Sequence, residues 1–162
     1  MQNQDAAARA GEELAKLARG EISVAEVAGL GAEDLAKILQ LALAQLQIGK
    51  KDKAIQILRG LVALDDRNPV FHEYLGIALE RDSDLEGALA EYTRNVEGLA
   101  GIGDRSRLSE AHLLRSRVQA LRGDRAAARQ DLEAARRNDP GNDADVRDMI
   151  ERLASVLDGG EA

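Results

Sequence analysis

The residues best suited to chemistry are two histidines, His72 and His112. A histidine serves as general acid or base only beside a partner that fixes its tautomer and within hydrogen-bond reach of a nucleophile or substrate. No such constellation accompanies either one. The run Asp82-Ser83-Asp84 lacks the glycine and the terminal glutamate that a calcium loop needs at set offsets. The cluster Gly98-Leu-Ala-Gly-Ile-Gly103 has no strand before it and no Gly-Lys-Ser/Thr after it, so it reads as a hinge or linker and not as a phosphate loop. There is no cysteine, which excludes disulfides, thiolate metal sites and thiol redox chemistry and points to a reducing, cytoplasmic setting. The expectation is a protein with no catalytic residues, no cofactor and no metal site.

Composition narrows the partners. The 162 residues suit one ordinary domain, and 44% hydrophobic residues can build a core. No run approaches the roughly 18 apolar residues of a membrane span, and the first residues, Met-Gln-Asn-Gln-Asp, carry no basic start. Acidic residues outnumber basic ones by 29 to 22, and aromatic residues make up only 2%. Phosphate backbones are repelled and base stacking has no platform, so nucleic acid is not the expected partner.

Any site must be positioned by a repeat. Aligning Lys51-Asp-Lys-Ala54, Leu85-Glu-Gly-Ala88 and Arg125-Ala-Ala-Ala128 gives blocks that begin at Leu35, Pro69 and Ser109, so the first spacing is 34 residues and the second 40. A 34-residue period is that of tetratricopeptide helix-turn-helix units. Small residues recur where two antiparallel helices would cross closely, Ala42, Gly76 and Ser116 at one slot and Ala54, Ala88 and Ala128 at another. Gly49, Ser83 and Gly123 occupy the intervening turn, Pro69 can open a helix, and Pro140 lies in a block-ending turn.

The chain resembles the tetratricopeptide repeat family over about Leu35 to Asn142. The resemblance implies an all-α fold in which three repeats (35–68, 69–108 with a six-residue extension, 109–142) form a short right-handed α-solenoid. Residues 1–34 supply an N-terminal helix and a short apolar segment. Residues 143–162 supply a capping helix, begun by Asn142 or Asp143, and a frayed tail. By the family's register His72 and His112 take a packing slot.

Helix A of the first block, with Ile38, Leu39, Leu41, Ala42, Leu43, Leu46 and Ile48, is apolar all round and so must be covered on more than one side. Ile38, Leu41 and Ala42 are assigned to packing between helices. Leu39, Leu43 and Leu46 are assigned to a peptide-binding concave groove, joined by Tyr74, Ile77 and Arg81 from block two and Leu113, Arg117 and Leu121 from block three. Arg81 and Arg117 would meet an acidic or polar stretch of the bound segment. Leucines in the slots of Leu39 and Leu43 argue against the cochaperones that clamp a terminal carboxylate with Lys and Asn. The entry region around Gly20-Glu-Ile22, with Asp34 to Leu43 and Gly49 to Ala54, is similar to the small tetratricopeptide chaperones of type III secretion translocators. That likeness implies a cytoplasmic, non-catalytic module that holds a protein client. The alternative is a scaffold or regulatory adapter whose groove is covered by its own N-terminal helix, and a homodimer contact through the N-terminal segment is a further reading of the same apolar residues.

Overall fold

The computed structural model describes residues 2–141 and 143–159, with side chains from residue 10 onward. The described residues are helical with no strand, and they fall into two compact units, 1–67 and 68–162.

The first unit holds α1 (Gln2–Ala18), α2 (Val24–Val27), α3 (Ala32–Gln47) and α4 (Lys51–Leu64). α2 starts on a capping box. The Ser23 hydroxyl accepts from the Glu26 amide, and the Glu26 carboxylate accepts from the Ser23 amide at 2.6 Å. Arg67, just past α4, straps this segment down by donating to the Gly20 carbonyl at 2.7 Å and to Glu26 at 3.2 Å. α3 and α4 form the first antiparallel pair, turned at Gly49 with φ +78°. Leu35, Ala42, Leu46, Ala54, Leu58 and Leu61 are buried in it. Among its described residues α1 shows no packing of comparable extent, and its Leu14 is 62% exposed.

The second unit holds α5 (Pro69–Arg81), α6 (Leu85–Ile102), α7 (Arg105–Leu121), α8 (Arg125–Asn138) and α9 (Ala144–Asp158). Pro69 opens α5 with Asn68 as its cap, and Asp84, Asp104, Asp124 and Asp143 cap α6 to α9 by accepting backbone amides. α5 pairs with α6 and α7 with α8. The two pairs make the same close crossing with opposite polarity. Asn95 on α6 donates to the Pro69 carbonyl at 2.8 Å, whereas Ser109 on α7 donates to the Ala135 carbonyl of α8 at 2.9 Å. α9 lays Val146, Ile150 and Leu157 on Leu132 and Ala135 of α8. Arg125 and Arg129 of α8 donate to the Leu157 carbonyl and so satisfy an end that otherwise has free carbonyls.

Two expectations need correction. The cluster Gly98 to Gly103 is not a linker. Gly98 and Gly101 lie within α6, and Gly103, with φ +80°, caps its end. The six extra residues are helix: α6 runs on to Ile102, and α7 begins at Arg105, ahead of the expected block start at Ser109. Leu41 does not pack between helices but is 53% exposed. Of the two residues expected to begin α9, Asp143 carries the cap and Asn142 lies outside the described residues. The tail expected to fray from Asp158 is helical at Asp158, and residues 160–162 lie outside the described residues.

Candidate functional site

The second unit contains an apolar cleft of about 480 Å³ between α5, α7 and α9, within the size range of ligand pockets. Its register follows from the repeat. Ile77 and Arg117 share one slot of helix A, and Glu73 and Leu113 share another. Two ion pairs fix α5 beside α7 in the same direction. Arg107 reaches Glu73 at 3.3 Å near one end, and Arg117 reaches Glu80 at 2.7 and 2.8 Å near the other. α7 contributes Glu110, Leu113, Leu114, Arg117, Ala120 and Leu121 to the wall, and α9 contributes Met149, Arg152, Leu153 and Val156. The α9 set is spaced i, i+3, i+4, i+7, one face of a helix, so the capping helix has two apolar faces. One is buried on α8, and the other borders the cleft, where Met149 and Val156 are 43% and 65% exposed.

The cleft is electrically lopsided. Arg117 lines it, yet its guanidinium is occupied by Glu80, which also accepts from the buried Tyr92 hydroxyl at 2.8 Å. Arg152 is paired with Asp148 at 2.6 Å. At the opposite end burial pushes the Glu73 carboxyl above its ordinary range, with Arg107 opposing. Glu110 is pushed the same way by burial and then by the charges of Glu73 and Asp143. Raised carboxyl pKa values mean that negative charge here is incompletely compensated.

Of the residues assigned to the groove from sequence, Ile77, Leu113, Arg117 and Leu121 line this cleft. Leu113 is nevertheless buried and belongs to the core under the cleft floor. Tyr74 is half-buried and Arg81 exposed, both outside its lining. In the first unit Leu39 and Leu43 are half-buried, and Leu46 is buried, so it is not an open groove residue. Sequence reasoning missed α9 as a wall. The signal was present in the spacing of Met149, Leu153 and Val156, but a cap explained the whole apolar set.

His72 and His112 sit in matched positions, bonded through Nδ1 to Glu91 at 2.6 Å and to Asp131 at 2.8 Å on the paired helix. Asp131 also takes two hydrogen bonds from Arg115 at 2.7 Å. Burial alone would raise the Asp131 carboxyl, but the donors Arg115 and His112 hold it below its ordinary value. These are ties between helices. Among the described residues no group of three or more His, Asp or Glu is arranged to hold a metal ion, and no helix is long and apolar enough to cross a membrane.

Helical hairpins of this period, with small residues at the crossings, define a tetratricopeptide-type repeat protein. Within that class the chain belongs to the family described as Bacterial transcriptional activator domain, whose profile matches residues 4–102. No curated protein sequence matches the chain. Its fold is similar to that of the type III secretion translocator chaperone SycD of Yersinia enterocolitica, with 19% identity and a TM-score of 0.71 over 85% of this chain and 98% of that one. A type III secretion complex from Aeromonas hydrophila gives 17% identity and a TM-score of 0.77, over 92% and 94%. PcrH, whose Pseudomonas aeruginosa protein is also solved alone, bound to the chaperone binding region of PopD, gives 22% and 0.66, over 81% and 93%.

Proposed function

We propose that the chain is a non-catalytic interaction module that takes a peptide segment of a partner protein into the α5–α7–α9 cleft. The observation that carries this reading is the apolar cleft itself, whose wall side chains Leu121, Met149 and Val156 stay more than two-fifths exposed. Such a patch is costly to leave in water unless it is used. Membership of a bacterial transcriptional activator family favours a regulatory adapter, one that acts through protein contacts because the acidic chain repels DNA. A second reading, a secretion-type chaperone, is supported by the likeness in fold to SycD and to PcrH bound to PopD.

The test is Leu121→Glu. Leu121 is 59% exposed, so the change should leave thermal melting within a degree or two, by the usual tolerance of surface sites. Binding of peptides selected from a random display library on the wild-type protein should weaken at least about tenfold, because an unpaired charge is desolvated in the contact. Full retention of binding by a folded variant would remove the cleft as the site.

A further inference from the structure

The polarity of the cleft specifies what its occupant must carry, an inference that rests on the peptide-binding reading above. Of the two cations expected to meet an acidic ligand stretch, Arg117 is held by two hydrogen bonds to Glu80 and Arg81 lies outside the lining, while Arg152 on the α9 wall pairs with Asp148. At the other end Glu73 from α5 and Glu110 from α7 both line the wall. Asp104 and Asp143, the caps of α7 and α9, add their charges close to Glu110. Against these four carboxylates the local cation is Arg107, which meets Glu73 through one 3.3 Å contact. Glu110 has no hydrogen-bonded cation of its own, and burial and its acidic neighbours already strain its charge. A positive group placed here would gain attraction from carboxylates already partly desolvated, where such attraction is stronger than in water.

From Glu110 to Leu121 the α7 wall rises about 16 Å at 1.5 Å per residue. That length matches about five residues of extended chain. We propose that the cleft binds a basic-apolar peptide segment, with a Lys or Arg side chain between Glu73 and Glu110 and two apolar side chains following along Ile77, Leu114, Leu121 and Leu153. The apolar residues supply area against α7 and α9. The cation selects which apolar segments are accepted and sets their direction, since the Arg117–Glu80 end offers no free charge of either sign.

A random-peptide phage library panned on the intact wild-type protein, on Glu73→Gln/Glu110→Gln and on Leu121→Glu tests this. The expected wild-type pool is enriched in Lys or Arg beside apolar residues. The double Gln variant should keep the apolar enrichment, lose the basic one, and bind a synthetic wild-type-selected peptide about tenfold more weakly, the worth of one charge-assisted hydrogen bond. Glu110→Gln alone should give part of that loss, which guards against a misfolded double variant. Apolar peptides without a basic preference, or with an acidic one, would overturn the charge assignment while leaving the cleft as a peptide site. Peptides equally well bound by Leu121→Glu would overturn the cleft and the charge assignment together.

Discussion

The crossing of α5 and α6 is shaped by a missing atom. A Cβ at Gly76 would lie 2.6 Å from Cε1 and 2.7 Å from Cδ1 of Tyr92, the largest fully buried side chain. The equivalent slots hold Ala42 with Leu58 in the first repeat and Ser116 with Leu132 in the third, so size on one helix trades against size on the other. Gly76→Ala is therefore expected to cost about 1–3 kcal/mol by overpacking. Tyr92→Leu alone should also destabilise, since it deletes a buried ring and removes one of the donors to Glu80, leaving only Arg117. Combined, the two changes recreate the pairing of the first repeat, so the double variant should lose less than the sum of the single losses by about 1 kcal/mol or more. Urea denaturation of the three variants measures this coupling, and strictly additive losses would show that the ring moves aside freely. The histidines follow the same logic of paired substitution. The slots that hold His72 with Glu91 and His112 with Asp131 hold Ile38 and Ile57 in the first repeat.

At the scale of the helix, the glycine cluster makes a sharp comparison. Gly98 and Gly101 both lie inside α6, but a Cβ at Gly98 would come 3.1 Å from Cβ of Pro69, whereas one at Gly101 would meet nothing within 4 Å. Gly101→Ala should therefore stabilise the protein by about 0.5–1 kcal/mol, the helix-interior difference between the two residues. Gly98→Ala should gain less than this or lose. Chemical denaturation of the two variants checks the order, and no gain at Gly101 would mean that α6 ends before it. The elements of the repeat were legible in the sequence because turn residues and small crossing residues recur at fixed spacing, with Pro69 and Pro140 at block boundaries. The extension was not, because glycine propensity argues for a break while packing of Val96 and Leu99 with Leu108 and Ala111 holds the helix through it. For the site, Ile77, Arg117 and Leu121 followed from register. The state of charge did not, since no spacing reveals that Arg117 is occupied by Glu80 or that Glu110 lacks a cation. Leu41 and Leu46 exchanged roles for a similar reason: on a helix apolar all round, composition does not say which face is covered.

Over the whole molecule acidic residues exceed basic ones, 29 to 22, yet the fold treats its carboxylates in opposite ways, and this sets how stability responds to pH. Asp131, held below its ordinary pKa by Arg115 and His112, contributes stability above its unfolded value that is lost only as pH falls through its lower folded value. Its window lies below about pH 4. Glu73 and Glu110 are raised, chiefly by burial, so their ionised forms oppose folding at neutral pH. That opposition is relieved as pH falls through their folded pKa values, and relief is complete below the unfolded value of about 4.3. As pH falls from neutral towards the unfolded glutamate value of about 4.3, these two groups therefore push stability upward, whereas Asp131 pulls it down below about pH 4. The carboxyl contribution is read as a difference between proteins. The change in melting temperature from about pH 7 to about pH 4.3 should be more positive in the wild type than in Glu73→Gln/Glu110→Gln, where neither amide titrates. At pH 7 the double variant should melt close to the wild type, because relief of two charges disfavoured chiefly by burial offsets loss of the Arg107–Glu73 ion pair and no core atom is removed. Equal pH responses in the two proteins would show that both carboxyls are well solvated, and would remove the electrostatic ground for a cation at that end of the cleft.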